Sequence, residues 1–299
     1  MLGIVDTEHG EHGIYGAGVL DYCQKNDLHF DFAVGVSAGA ANLASFLAGQ
    51  ADRNFRFYTD YSFRREAAGW GQFLKSGNRL NLDYIYKTLT NHDGEYPLDY
   101  EAFAASGVPF HVVATNAATG EACYFTEKDM SQDHYEIMIC SACPPAVNKP
   151  YPFRGQLWYD GTLADPIPYQ HAFDAGCDKV VVILGHPREE KLDPKEDEPA
   201  AKHLARAEAL AAETLRSCAD RYNEQLTHCF ELEEQGKLLL LSPSVALSTK
   251  AALKNVDSVK HLYHAGQDDG YKIAQFLANT EQRNKEYHRD LTSEQTQPL

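Results

Sequence analysis

The chemistry in this sequence is concentrated at Ser37, in the pentapeptide Gly35-Val36-Ser37-Ala38-Gly39. An apolar run from Phe30 to Val36 enters it and the small residues Ala38, Ala40 and Ala41 leave it. A strand, a sharp turn and a helix in that order make a nucleophile elbow, with the serine at the turn. Gly35 and Gly39 have a mechanical reason, since a side chain at either position would collide across so tight a turn. A helix that starts at Ala38 supplies free backbone N–H groups and the positive end of its dipole, where an oxyanion would develop. The alternative is an ordinary strand-to-helix connection with an inert serine.

A second acidic position repeats the strand-and-glycine pattern. Gln156-Leu157-Trp158-Tyr159 runs into Asp160-Gly161-Thr162 and then Asp165-Pro166-Ile167-Pro168. Asp160 ends a strand where a catalytic carboxylate is well placed, though an Asp-Gly turn is common on its own terms. A Ser-Asp-His triad would need a histidine downstream, for which His171 in a helix and His186 just past a strand are the candidates. The first loop, Glu8-His9-Gly10-Glu11-His12-Gly13, joins the first strand to the first helix. At that end of a parallel sheet, a loop is where an oxyanion hole is built.

The elements needed to position these groups are legible along the chain. Strands are expected at 2–6, 30–36, 110–115, 122–126, 156–160, 179–184 and 238–241, and helices at 14–25, 38–47, 132–141 and 165–175. The alternation predicts an α/β fold with a mostly parallel sheet and right-handed crossovers. Residues 52–100 are aromatic and irregular, an insertion of a length that often covers a site, with most of its rings expected in the core. Helices fill 200–234 and 249–279, and a polar tail follows from Glu281. We divide the chain into a catalytic domain, 1–198, and a helical C-terminal subdomain with one further strand, 199–299.

Composition narrows the function. The chain of 299 residues has a formal net charge of −16, which argues against a nucleic-acid partner and against electrostatic docking on anionic membranes. The start of the chain does not read as a signal peptide and no apolar run reaches membrane-spanning length, so a cytoplasmic location is expected. Seven cysteines at irregular positions fit reduced thiols. Cys140-Ser141-Ala142-Cys143 lacks a second pair at zinc-site spacing and is read as small buried residues near a site wall.

Taken in order, several segments resemble the patatin-like phospholipase family, and most closely its bacterial branch of predicted lipid acyl hydrolases. They are Gly13-Ile14-Tyr15-Gly16-Ala17-Gly18-Val19-Leu20, Gly35-Val36-Ser37-Ala38-Gly39, Ala114-Thr115 with Thr119-Gly120-Glu121, Asp160-Gly161 with Asp165-Pro166-Ile167-Pro168, and Gly176-Cys177-Asp178-Lys179-Val180-Val181. The resemblance implies a three-layer α/β/α fold and a Ser-Asp dyad at Ser37 and Asp160. It also implies lipid or phospholipid acyl esters as substrates, cleaved through an acyl-serine without a cofactor.

The first loop departs from the family pattern Gly-Gly-Gly-x-Arg/Lys-Gly. Aligned on Gly13, Glu8 and His9 replace two glycines and His12 replaces the basic residue. Side chains there raise the energy of positive φ values, and two carboxylates oppose a developing negative charge. Oxyanion donors are expected from His9, Gly10 and Glu11 and from Ala38, with His12, if protonated, standing in for the cation. Two other readings remain: a weakly active or non-catalytic lipid- or acyl-binding protein, and a metal site formed by Glu8, His9, Glu11 and His12. Self-association is a possible role of the C-terminal third.

Overall fold

The computed structural model describes residues 1–7, 10–69, 73–74, 76–244 and 255–278. Its centre is an eight-stranded sheet. Strands β1 (Leu2–Asp6), β2 (Phe32–Val36) and β3 (Phe110–Asn116) form one half, with β4 (Ala122–Thr126) folded back on β3. A hairpin of β5 (Tyr151–Phe153) and β6 (Gln156–Asp160) joins β3, while β7 (Lys179–Ile183) and β8 (Leu238–Leu241) extend the other half. The run β3-β2-β1-β7-β8 is parallel throughout.

Helices cover both faces, so these strands read as continuous apolar runs rather than as alternations. One face carries Ile4, Ala33, Val112, Val181 and Ile183. It is covered by α1 (Gly13–Lys25) and α2 (Ala38–Leu47), whose Ile14, Val19 and Leu43 are buried there. The insertion supplies the short α3 (Arg53–Arg56), two π-helical turns at Phe57–Tyr61 and Tyr84–Leu89, and the connection to α4 (Tyr100–Ala105). The other face carries Val5, Val34, Val36, Val113, Val180 and Val182. This period-two division of neighbouring residues between two cores makes the fold three-layered.

The helix expected over 132–141 is shorter than its sequence pattern. It forms as α5 (Glu136–Ser141), because Asp133 takes φ +65° and a bridge between Ser131 and His134 closes a turn ahead of it. Strand β5 was not expected: three residues including Pro152 give almost no strand signal, and proline is tolerated there because β5 pairs on one side only.

After β6 come α6 (Tyr169–Asp174), α7 (Glu198–Leu204), α8 (Ala209–Arg216), α9 (Cys218–Glu234) and α10 (Val256–Asp269). Tyr169 and Ala172 of α6, with Tyr222, Leu226 and Cys229 of α9, cover the second face. The C-terminal third is woven into the fold: β8 pairs with β7, and α10 crosses α1 on the opposite side. The crossing is close, since a Cβ on Gly18 would lie 2.0 Å from Tyr263 O and one on Gly266 2.0 Å from Tyr15 O. Tyr15 Oη donates to Asp269 Oδ2 at 2.7 Å, and Tyr263 Oη to Asp21 Oδ2 at 2.6 Å. Residues 279–299 and 245–254, which include part of the expected C-terminal helix and the polar tail, lie outside the described residues.

Candidate functional site

Strand β2 ends at Val36, and the chain reverses at Ser37 with φ 54° and ψ −123° before α2 begins at Ala38. That conformation is rare for a residue with a side chain and stores strain at a turn. The flanking glycines are required by contact rather than by dihedral. A Cβ on Gly35 would lie 2.4 Å from Ala40 Cα, and one on Gly39 would lie 2.2 Å from Asp6 O. The Ser37 backbone N–H donates to Ser141 Oγ at 2.8 Å, so α5 fixes the turn from the side.

Asp160 reaches the turn through the sheet. On β3, Val113 pairs with Val36 of β2 and Ala114 pairs with Asp160 of β6, while β4 occupies the other edge across both. Strands β2 and β6 therefore lie end to end along one edge of β3, and Ser37 and Asp160 meet at their junction. Gly161 then leaves the sheet so close to β3 that a Cβ would lie 2.3 Å from Val113 O. Ser37 Oγ donates to Asp160 Oδ2 at 2.7 Å. Asp160 Oδ1 accepts from the Thr162 N–H at 3.0 Å and from Thr162 Oγ1 at 2.9 Å.

Both side chains of the pair are buried. Burial pushes the Asp160 carboxyl up to about 6, against the hydrogen bonds from Thr162 and Ser37 that favour its charged form. The hydrogen bonds of Asp160 run to Ser37 and Thr162 and not to either candidate histidine. His171 lies in α6, bonded to His111 at 2.7 Å and stacked on Tyr124 at 3.8 Å. Burial and the neighbouring His111 lower its pKa to about 4. The His186 ring lies against those of His12 and Tyr222.

The pair opens into a cavity of about 360 Å³. Gly10, Glu11 and Ala38 line it beside Ser37, with apolar walls from Leu82, Ile85, Leu98 and Met138. Gly10 has φ +54°, and Gly10–His12 forms a 3₁₀ turn that runs straight into α1. Asn42 ties this turn to the elbow helix: its Nδ2 donates to Gly13 O at 2.8 Å and to Asp6 Oδ2 at 3.2 Å. Tyr58 Oη donates to Asn42 Oδ1 at 3.2 Å, and Gly13 leaves room for it, since a Cβ there would lie 2.0 Å from that hydroxyl oxygen. His12 packs its ring against His186, with centroids 5.6 Å apart. Glu8 and His9 lie outside the described residues, and among the described residues no three His, Cys, Asp or Glu side chains come together as a metal-binding group.

The patatin-like phospholipase family profile matches residues 10–173. This chain belongs to the patatin-like phospholipase family. Residues 209–282 match a domain of unknown function, DUF6363. A curated relative, "Uncharacterized protein YjjU" of Escherichia coli K12, is 28% identical over 199 residues, covering 65% of this chain. The chain spans about half of that relative's length, 54%. Among solved structures, VipD from Legionella pneumophila matches with a TM-score of 0.45 and 13% identity, over 93% of this chain and 66% of that one.

In this patatin-like chain the sequence reading did not single out Ser141, Thr162, Arg53 or Tyr86 for the site. Ser141 lay within a segment read only as small buried residues, and Cys140 and Cys143 beside it are indeed buried thiols, with Cys143 pushed up to about 12 by burial. Thr162 carries the ordinary signal of a hydroxyl two residues after an aspartate at a turn. Arg53 and Tyr86 lie in the aromatic insertion, where nothing local marks them. Among the described residues no helix is long and apolar enough to cross a membrane.

Proposed function

We propose that this chain is a serine acyl hydrolase in which Ser37 is the nucleophile and Asp160 its general base. The observation that carries this is the 2.7 Å hydrogen bond from Ser37 Oγ to Asp160 Oδ2 at a strained turn on the wall of a cavity. Asp160 takes the serine proton as Oγ bonds to the ester carbonyl carbon, and the carbonyl oxygen becomes an oxyanion. The Ala38 N–H, at the positive end of α2, and the N–H groups of the Gly10–Glu11 turn are its donors. Collapse breaks the ester C–O bond, the leaving alkoxide takes the proton from Asp160, and an acyl-serine remains. Water, deprotonated by the same carboxylate, then bonds to the acyl carbon; the C–Oγ bond breaks, Asp160 returns the proton to Ser37 Oγ, and the acid is released.

Thr162 contributes by holding the second carboxylate oxygen, which leaves Oδ2 aimed at Ser37. Esters of lipids or small acyl compounds, without a cofactor, are the substrates this reading expects. We assign the catalytic portion to residues 1–198 and a bracing role to 199–299. The test is labelling with a fluorophosphonate probe and mapping of the adduct. Label on Ser37 that is lost in Ser37→Ala and falls at least about 10³-fold in rate in Asp160→Asn is expected. A folded protein that takes no label would refute the reading and favour an acyl-binding protein without turnover.

A further inference from the structure

The buried face of α2 leads from Ser37 to a cation. Ala38, Ala41 and Asn42 line the cavity, and Ser45, next on the same helical face, accepts a hydrogen bond from Arg53 Nη1 at 3.0 Å. Arg53 also lines the cavity and retains 9% of its exposure. Its other bonds go to neutral oxygens: Nε to Pro97 O at 3.3 Å, and Nη2 to Tyr96 O at 3.0 Å and to Thr90 Oγ1 at 3.4 Å. Among the described residues five guanidinium N–H groups face four oxygen partners, which leaves one Nη1 donor over, and the Thr90 contact is long.

No carboxylate pairs with Arg53 among the described residues. The adjacent Asp52 is turned toward Lys25 and Tyr263. More exposed arginines do hold acids, as Arg64 does Glu95 and Arg188 does Glu233, in a chain with 43 Asp and Glu against 27 Lys and Arg. A buried cation that is not paired is held at an energetic disadvantage, and an anion that enters beside it relieves that. Desolvation accordingly lowers the Arg53 pKa.

Tyr86 lies between the two ends. Its ring lines the cavity, and Asp160 and Arg53 both act on its hydroxyl electrostatically. That hydroxyl has no hydrogen-bond partner among the described residues. Burial and the Asp160 charge keep it protonated, and therefore a donor.

We propose that Arg53 is an anion-binding, specificity-determining residue, and that the substrate is a small ester bearing a carboxylate or phosphate at the far end of the cavity from the scissile carbonyl. Ser45 lies seven positions beyond Ala38, so the anion lies about 10 Å from the start of α2 along the helix axis. An extended chain advances about 1.2 Å per bond, which places the charge about eight bonds from the ester carbon. A cavity of about 360 Å³ holds a substrate of that size with its chain along the alanine face. The inference rests on the hydrolase reading for the reaction, but the binding of the anion stands apart from it.

The test compares the p-nitrophenyl half-ester of octanedioic acid with the same compound capped as its methyl ester. Wild type is expected to favour the acid in kcat/KM by about 10- to 100-fold, and Arg53→Gln to bring the ratio near one, with Arg53→Lys between them. A structural role for Arg53 lowers both rates together and leaves the ratio intact, which overturns the proposal. A parallel pair, 1-octanoylglycerol 3-phosphate against 1-octanoylglycerol, shows whether the charge belongs to the leaving group instead of the acyl chain. Equal rates within both pairs also overturn it.

Fluorophosphonate labelling of Ser37 separates the two claims. If the serine is inert, calorimetry on Ser37→Ala with monomethyl and dimethyl octanedioate still decides the point. Preferential binding of the monoester, lost on adding Arg53→Gln, supports the anion site, and equal binding refutes it.

Discussion

Ser37 Oγ and Asp160 Oδ2 stand 2.7 Å apart although 123 residues separate them, because β2 and β6 end against consecutive residues of β3. The same burial that makes Asp160 a better base makes it a liability to the fold, and that opposition is measurable.

In the proposed mechanism, hydrolysis and labelling require the carboxylate form of Asp160. With its carboxyl raised to about 6, the labelling rate should be flat above pH 7 and fall about tenfold per pH unit below 6. Stability runs the other way. The folded chain holds this proton more tightly than the unfolded chain, whose value is near 3.8. The favourable contribution is therefore complete below pH 3.8 and lost as pH rises through about 6. Asp160→Asn removes that loss and keeps an oxygen for Thr162, while its Nδ2 donates to Ser37 Oγ in place of the bond that Asp160 accepts. Denaturation at pH 8 should find it more stable than wild type by about 2–3 kcal/mol, and at pH 4 nearly equal to it. A variant no more stable at pH 8 than at pH 4, relative to wild type, would contradict this account.

Ser141→Ala leaves the buried Ser37 N–H without its acceptor. The expected loss is about 1–3 kcal/mol in unfolding free energy, with slower labelling because the turn is held less firmly. Ser141→Thr keeps the oxygen and should recover part of the rate. Stability and labelling unchanged in Ser141→Ala would show that the turn holds itself.

The α1–α10 crossing has no space for side chains at Gly18 and Gly266. Gly266→Val should cost at least about 3 kcal/mol and slow labelling, because α1 carries the Gly10–Glu11 turn at its N-terminus. Tyr263→Phe, which strips Asp21 of a donor, should cost about 1–3 kcal/mol. Chemical denaturation followed by labelling kinetics separates lost stability from a displaced turn. Full stability in Gly266→Val would mean that α10 does not brace α1 in solution.

The Gly35-x-Ser37-x-Gly39 elbow, the buried parallel strands and the Asp160-Gly161 turn were readable from the sequence. Each depends on residues adjacent in the chain: apolar runs that must be covered on both faces, and glycines that must clear a tight turn. The family resemblance, rather than spacing, linked Ser37 to Asp160. Which groups surround them was decided by tertiary structure alone. Ser141 meets the serine because α5 packs across β3 and β6, where β2 ends, and Arg53 reaches the cavity because the insertion folds over α2. The last strand enters the central sheet because β7 had an open edge. These relations join segments far apart in sequence through register and packing, and neither leaves a local pattern in the chain.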